Sequence, residues 1–348
     1  MKKYIVITNV DSLAGYAIAY EFVSKWNRSS SLSIPVTEFR LLCHKRQGLQ
    51  DLEKLGGKVI EMKSFDDKKE MKAVMKDVYC VFLIPEYSSN RLKEGEAIIH
   101  AAKEEGVGYI TMLSYLGIDK LEEKITTKIN KLENLNQYLE LEKKVADNFD
   151  YKNYCIIQAP IFHQFFYYFG PMIEDHDQIQ LTIKKHKEWC SIDLGDLATA
   201  VFNLSYPDYC QDRPKKNQIL FKFTGRHIIT AEQLVEYASE GLERKSMTYK
   251  QFDSQEMYNY LHRIHGDNRF RERPNHHSLI EGKDRSYLFP LGEYLNDNCI
   301  KTLIEYWNFV DTKGSDKTSD DLEQALRAKS QTLKKFFKNN KDQFQRLR

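Results

Sequence analysis

No stretch of the sequence approaches the roughly eighteen consecutive apolar residues that mark a membrane-spanning helix. Nor is there an excess of one charge: 52 Lys and Arg stand against 50 Asp and Glu, a formal net charge of +2 over 348 residues. These two absences leave no helical anchor and no global field to recommend nucleic acid or a membrane surface. Cysteine is sparse, with Cys43, Cys80, Cys155, Cys190, Cys210 and Cys299 scattered and no C-x-x-C pair among them. That excludes the usual cysteine-rich metal modules and fits small buried thiols in a reducing, cytoplasmic setting, with the nucleus open to a regulator. An apolar strand begins at Tyr4, which leaves no room for a signal or transit peptide. What is present, 41% hydrophobic and 29% charged residues, is enough for one large core and a second lobe.

Glycine is scarce where one local signal most needs it. Tyr4–Ile7 is short, apolar and β-branched, residues 8–12 form a polar turn, and Leu13, Tyr16, Ala17, Tyr20 and Val23 follow with helical spacing. A strand-turn-helix of this kind opens a dinucleotide-binding domain, where the turn and helix end face a pyrophosphate. Three points in such a turn call for glycine, and here they hold Asn9, Ser12 and Gly15. Asn9 is a mild replacement, because Asn enters the left-handed region more readily than most residues. Ser12 adds a β-carbon beside the phosphates, although its hydroxyl can donate a hydrogen bond. Two readings follow: a cofactor turn formed by Thr8, Asn9, Ser12, Leu13 and Gly15, or a plain strand-turn-helix that holds nothing.

The chain then alternates. A strand over 37–43 ends in His44, Lys45 and Arg46, three bases with no acid, which favours NADP over NAD at the ribose position; a solvated basic turn is the other reading. A short helix over 50–55 stops at Gly56 and Gly57, and a strand over 58–62 leads to Ser64, Asp66 and Asp67, the start of a helix over 68–75. A nearly all-apolar strand over 78–84 halts at Pro85, a helix spans 92–105, and a strand over 109–113 opens onto Ser114. The expected architecture is α/β: a doubly wound parallel, Rossmann-like sheet over 1–158, with a smaller α+β lobe over 159–348 that returns elements to the first domain.

Taken in order, these pieces resemble the NmrA-like branch of the atypical short-chain dehydrogenases/reductases. So do Tyr154 to Phe162, ending in Pro160 and an aromatic, the segment from Trp189 through Asp193 to Ala200, and Phe223 through Thr230 to Leu234. The resemblance places Asp66 near an adenine and Pro85 and Tyr87 over the dinucleotide crevice, where a helix N-cap would account for Asp66 equally well. Active members of the wider family use a Tyr with Lys four residues later, and none of the 21 tyrosines has one. The nearest candidate, Tyr138 on an expected helix over 121–148, has Glu142 there and Lys143 beyond it; Ser114 stands where active enzymes orient substrate. Lys128, Lys131 and Lys144 lie on the same helix as substitutes or as solvated positions. The resemblance therefore implies an NADP-binding regulator or redox sensor with a protein partner; the alternative is an NADPH-dependent reductase of a small apolar or quinone-like acceptor.

The stretch over 161–169 is the most aromatic, either pocket wall, partner surface or core, and His163 within it is either a substrate contact or a buried, bonded histidine. His262, His265, His276 and His277 lack a completing Cys or carboxylate, so no metal site is read from them. Arg269, Arg271 and Arg273 suggest a solvated loop, or contacts to phosphate or an acidic partner, and residues 311–321 read as a surface connector.

Overall fold

The computed structural model describes residues 4–26, 38–122, 132–205, 218–267, 294–314 and 317–345. The apolar runs form strands β1 (Tyr4–Ile7), β2 (Glu38–Cys43), β3 (Gly57–Glu61), β4 (Val78–Leu83), β5 (Tyr109–Tyr115) and β6 (Tyr154–Ala159). They continue with β7 (Ile161–Phe162), β8 (Gln178–Leu181), β9 (Ser191–Ile192), β10 (Leu220–Lys222) and β11 (Thr248–Gln251). Seven of them make a wholly parallel sheet in the order β10-β6-β5-β4-β1-β2-β3. Ile7 sits between Leu41 of β2 and Phe82 of β4, so the strand order reverses at β1. A doubly wound sheet opens its ligand crevice at the carboxyl ends of the strands flanking such a reversal.

Helices α1 (Leu13–Trp26), α2 (Gln50–Lys54), α3 (Lys68–Met75), α4 (Arg91–Glu104) and α5 (Glu133–Asn148) supply the crossovers. The later chain adds α6 (Gly170–His176), α7 (Leu194–Leu204), α8 (Ala231–Leu242), α9 (Ser254–Gly266), α10 (Asp297–Lys313), α11 (Asp321–Leu326), α12 (Leu333–Asn339) and α13 (Lys341–Gln345). Local chemistry explains several boundaries. Asp67 accepts from Lys69 N and Glu70 N and caps α3, while Thr230 and Gln233 form a reciprocal capping box at α8. Helix α7 packs on α1 through Phe22 and Phe202, 5.1 Å between ring centres, and β10 joins the central sheet beside β6, with Leu220 opposite Ile156.

Three expected elements differ. The segment from Tyr154 to Phe162, where the resemblance implies one strand, is divided at Pro160, which has no N–H to continue a ladder; β6 stays in the large sheet, and β7 pairs with β9. The long helix over 121–148 is instead a 3₁₀ turn at Ile118–Glu122 and then α5; Lys128 and Lys131 lie outside the described residues. Asp311, expected in a connector, belongs to α10, and its carboxylate accepts from Lys184 N at 2.7 Å.

Candidate functional site

The β1–α1 turn is held tight by its own backbone. Asn9 is left-handed, with φ 52°, and its carbonyl accepts from Ser12 N at 2.9 Å while Nδ2 donates to Ile84 O at 2.6 Å. A β-carbon at Gly15 would lie 2.0 Å from Asn9 O, so this position admits only glycine as the turn stands. Ser12 Oγ accepts from Gly15 N at 3.1 Å, leaving its proton for another acceptor. Thr8 is structural: its hydroxyl donates to Ile84 O and accepts from Ile84 N, tying β1 to β4, and Leu13 is buried.

A crevice adjoins this turn. Its lining includes Ser12 and Ala14 from the turn and the start of α1, Pro85 and Tyr87 after β4, Ser114 and Tyr115 at the end of β5, Tyr138 of α5, and Phe162 and Phe165. Tyr87 and Tyr115 share a hydroxyl hydrogen bond of 2.9 Å, and the rings of Tyr115 and Tyr138 meet edge to face at 5.0 Å. Burial drives the phenols of Tyr87 and Tyr115 well above their ordinary pKa. For Tyr138 burial again prevails over the Arg91 charge, and the phenol is pushed up to about 12.

The Arg91 guanidinium lies 4.8 Å from the Tyr138 ring centre, and the residue is fully buried. It donates to Glu86 O at 2.6 Å, Asn134 Oδ1 at 3.1 Å, Gln137 Oε1 at 3.0 Å and Thr302 Oγ1 at 3.2 Å. Lys143, in contrast, is exposed on α5, whereas Tyr138 faces inward, so the structure does not bring the two together. Glu142 turns inward behind Ser114 and accepts from Gln158 Nε2 at 3.1 Å and 3.3 Å. Burial raises its pKa to about 7 against the pull of Ser114 and Gln158. Ser114 Oγ is buried and makes no well-formed hydrogen bond among the described residues. Sequence reasoning did not single out Ile84 or Tyr115 in the lining, nor the Glu142–Gln158 pair; Glu142 was visible only as the residue standing where the dyad lysine belongs.

The basic turn after β2 is divided. Lys45 is exposed, Arg46 pairs with Glu53, and Asp11 Oδ2 accepts from the backbone N–H of both His44 and Lys45 at 2.9 Å. His44 points inward and stacks on Phe65 at 4.2 Å. Asp66 pairs with Lys93 and accepts from Ser64 Oγ at 2.6 Å.

Phe162 and Phe165 reach the crevice, while the rest of the aromatic stretch is buried around Trp189, Phe336 and Phe337. Burial lowers the pKa of His163 to about 3, and its Nε2 donates to Ser191 O at 3.2 Å, away from the crevice. His262 and His265 lie on α9; His276, His277, Arg269, Arg271 and Arg273 lie outside the described residues.

The parallel sheet, its reversal at β1 and the crevice above it define a Rossmann-like protein of the doubly wound class. Comparison of the sequence with protein-family models and with curated proteins gives no match. Among solved structures, the chain is similar to an NADPH-dependent quinone oxidoreductase from Escherichia coli complexed with NADPH: 16% identity, 96% of this chain and 98% of that one, TM-score 0.66. It is also similar to the triphenylmethane reductase of Citrobacter sp., at 14% identity over 97% and 98% of the two chains with TM-score 0.68. A third is NmrA, a negative transcriptional regulator in complex with NAD, at 12% identity over 97% and 94% with TM-score 0.64. The expected likeness to NmrA-like proteins holds at the level of fold across nearly the whole chain.

Proposed function

We propose that this chain is an NmrA-like, NADP(H)-binding regulatory protein that reports cofactor state to a protein partner and lacks conventional dehydrogenase chemistry. The observation that carries the reading is the left-handed Asn9 packed on the missing β-carbon of Gly15, which keeps the phosphate turn without two of its three glycines. The donor set fits a dinucleotide there: Ser12 Oγ has a proton to give and the N-terminal end of α1 faces an anion. Ser12 and Gly15 would hold the pyrophosphate, Pro85 and Tyr87 would cover it, and exposed Lys45 would meet a 2′-phosphate. NADP(H)-binding proteins of the same fold, the quinone and dye reductases among them, support that preference. Exposed Lys143 and inward Glu142 support the loss of the Tyr-Lys dyad. Among the described residues no helix is long and apolar enough to cross a membrane, and five cysteines are free and buried, which supports a reducing, cytoplasmic setting.

The aromatic wall of the crevice favours a second reading, reduction of a small apolar or quinone-like acceptor. NADPH supplies a hydride in such chemistry. The chain's part would be to shelter the acceptor against Tyr87, Tyr115 and Phe162, with the Ser114 hydroxyl hydrogen-bonded to it. Calorimetric titration with NADPH, NADP and NAD tests the cofactor claim: micromolar binding of the NADP pair, weakened about tenfold by Lys45→Ala, is expected, and no binding of any of the three refutes it. Single-turnover mixing of the loaded protein with quinones separates the two readings, since oxidation of bound NADPH sinks the pure sensor.

A further inference from the structure

Just past the end of β2, among residues that do not themselves line the crevice, three donor atoms converge. His44 Nε2 lies 3.1 Å from Glu94 Oε2 and 3.3 Å from Glu86 Oε2, and the ligand atoms of the three residues all fall within 4.8 Å of one another. Donors at about 2.0–2.2 Å from a tetrahedral cation stand roughly 3.3–3.6 Å apart, so the two distances from His44 come close to the spacing a metal imposes, and the two carboxylates lie within 4.8 Å of one another. The supporting contacts are of the kind that orient metal ligands. His44 Nδ1–H donates to the Met62 carbonyl at 3.2 Å, which directs the Nε2 atom at the carboxylates, and Phe65 stacks on the ring. Phe65 N donates to the other oxygen of Glu94 at 3.3 Å, and Ser64 Oγ lies 2.8 Å from that oxygen with its one proton shared between it and Asp66, leaving Oε2 for the cluster. Asp11 anchors the His44 and Lys45 N–H groups, and Asp66 is taken by Lys93, so neighbouring acids are engaged elsewhere.

Charge points the same way. Two carboxylates and a neutral imidazole carry −2, which a divalent cation neutralises in full and a proton on His44 only by half. Glu94 is buried while His44 and Glu86 are partly open, so a solvent molecule can complete the coordination.

We propose that His44, Glu86 and Glu94 form a binding site for a divalent first-row transition metal, with Zn²⁺ the best match to one imidazole and two carboxylates plus an open position. Glu86 lies between Pro85 and Tyr87, both in the crevice wall, so the cation would also fix the loop that follows β4. The site stands independently of the dinucleotide reading and is tested with no dinucleotide present.

The test is titration of tag-free, full-length protein with Co²⁺ and then Zn²⁺. Visible absorption of the four- or five-coordinate Co²⁺ form is expected at one equivalent, displaced by Zn²⁺. Glu86→Gln should weaken binding at least tenfold, as loss of a direct ligand must, and His262→Ala/His265→Ala should leave it unchanged. Wild-type ¹⁵N imidazole spectra give a readout without substitution: the His44 Nε2 resonance should move from a protonated to a metal-bound value on adding Zn²⁺. An unmoved His44 resonance, or one-to-one binding that survives Glu86→Gln, would overturn the site and leave a histidine bridging two glutamates by its proton.

Discussion

Asn9 and Gly15 occupy one another's space: the carbonyl of the first fills the place of the missing β-carbon of the second, 2.0 Å from where that atom would be. The contact is backbone against backbone, so no rotamer can relieve it. Gly15→Ala is expected to cost about 3 kcal/mol or more, read as a lowered urea midpoint, and to remove the NADP binding proposed for this turn. Asn9→Ala should cost about 2 kcal/mol, combining a left-handed alanine with the lost bond to Ile84. Asn9→Gly, which meets only the second loss, should stay within about 1 kcal/mol of the parent.

Arg91 joins α4 to α5 and α10 through side-chain and carbonyl acceptors, wholly out of water. Arg91→Met strands those acceptors and should destabilise by about 3–5 kcal/mol. Arg91→Lys keeps the charge but reaches fewer partners, and should fall between the two. Equal denaturation midpoints for parent and Arg91→Met would show that the network is replaceable.

Glu142 has a folded pKa of about 7, raised by burial above its ordinary 4.5. The folded chain therefore binds more protons than the unfolded one between these values, and stability falls as pH rises through that window. Below pH 4.5 the group adds no penalty, and above about 7 the penalty is complete, at most ~3 kcal/mol. Asp119 adds to the shift and Lys222 opposes it. Glu142→Gln, which can still accept from Gln158, should flatten the pH 5 to 8 stability profile and be the more stable protein at pH 8.

Tyr138 has no lysine four residues on, and the cation over its ring is Arg91, which is held by four other acceptors. Tyr138→Phe should leave NADPH affinity unchanged and alter any quinone turnover by no more than about threefold, against the 10²–10⁴ that general acid-base catalysis contributes. A loss of a hundredfold would return the hydroxyl to the chemistry.

Much of the frame could be read along the chain. The run from Tyr4 to Ile7, the helix from Leu13, the Asp67 cap and the stop at Pro85 all depend on neighbours a few residues away, and the structure has them where expected. Pro160 was in plain view, yet its breaking of a strand depended on β9 being at hand to pair with the remainder.

Side-chain destination was another matter. His44, Lys45 and Arg46 read alike as three bases beyond a strand, but Lys45 is exposed, Arg46 pairs with Glu53 and His44 turns inward to Met62, Glu86 and Glu94. Likewise Glu142 read as the residue in a missing lysine's place and is a buried acid of α5 held by Gln158 of β6. Strand, turn and helix were determined by the sequence itself, because backbone preference and apolar period act over a few residues. Which charges are buried together was decided only in the tertiary structure, because desolvation and pairing depend on groups that meet only when distant segments pack.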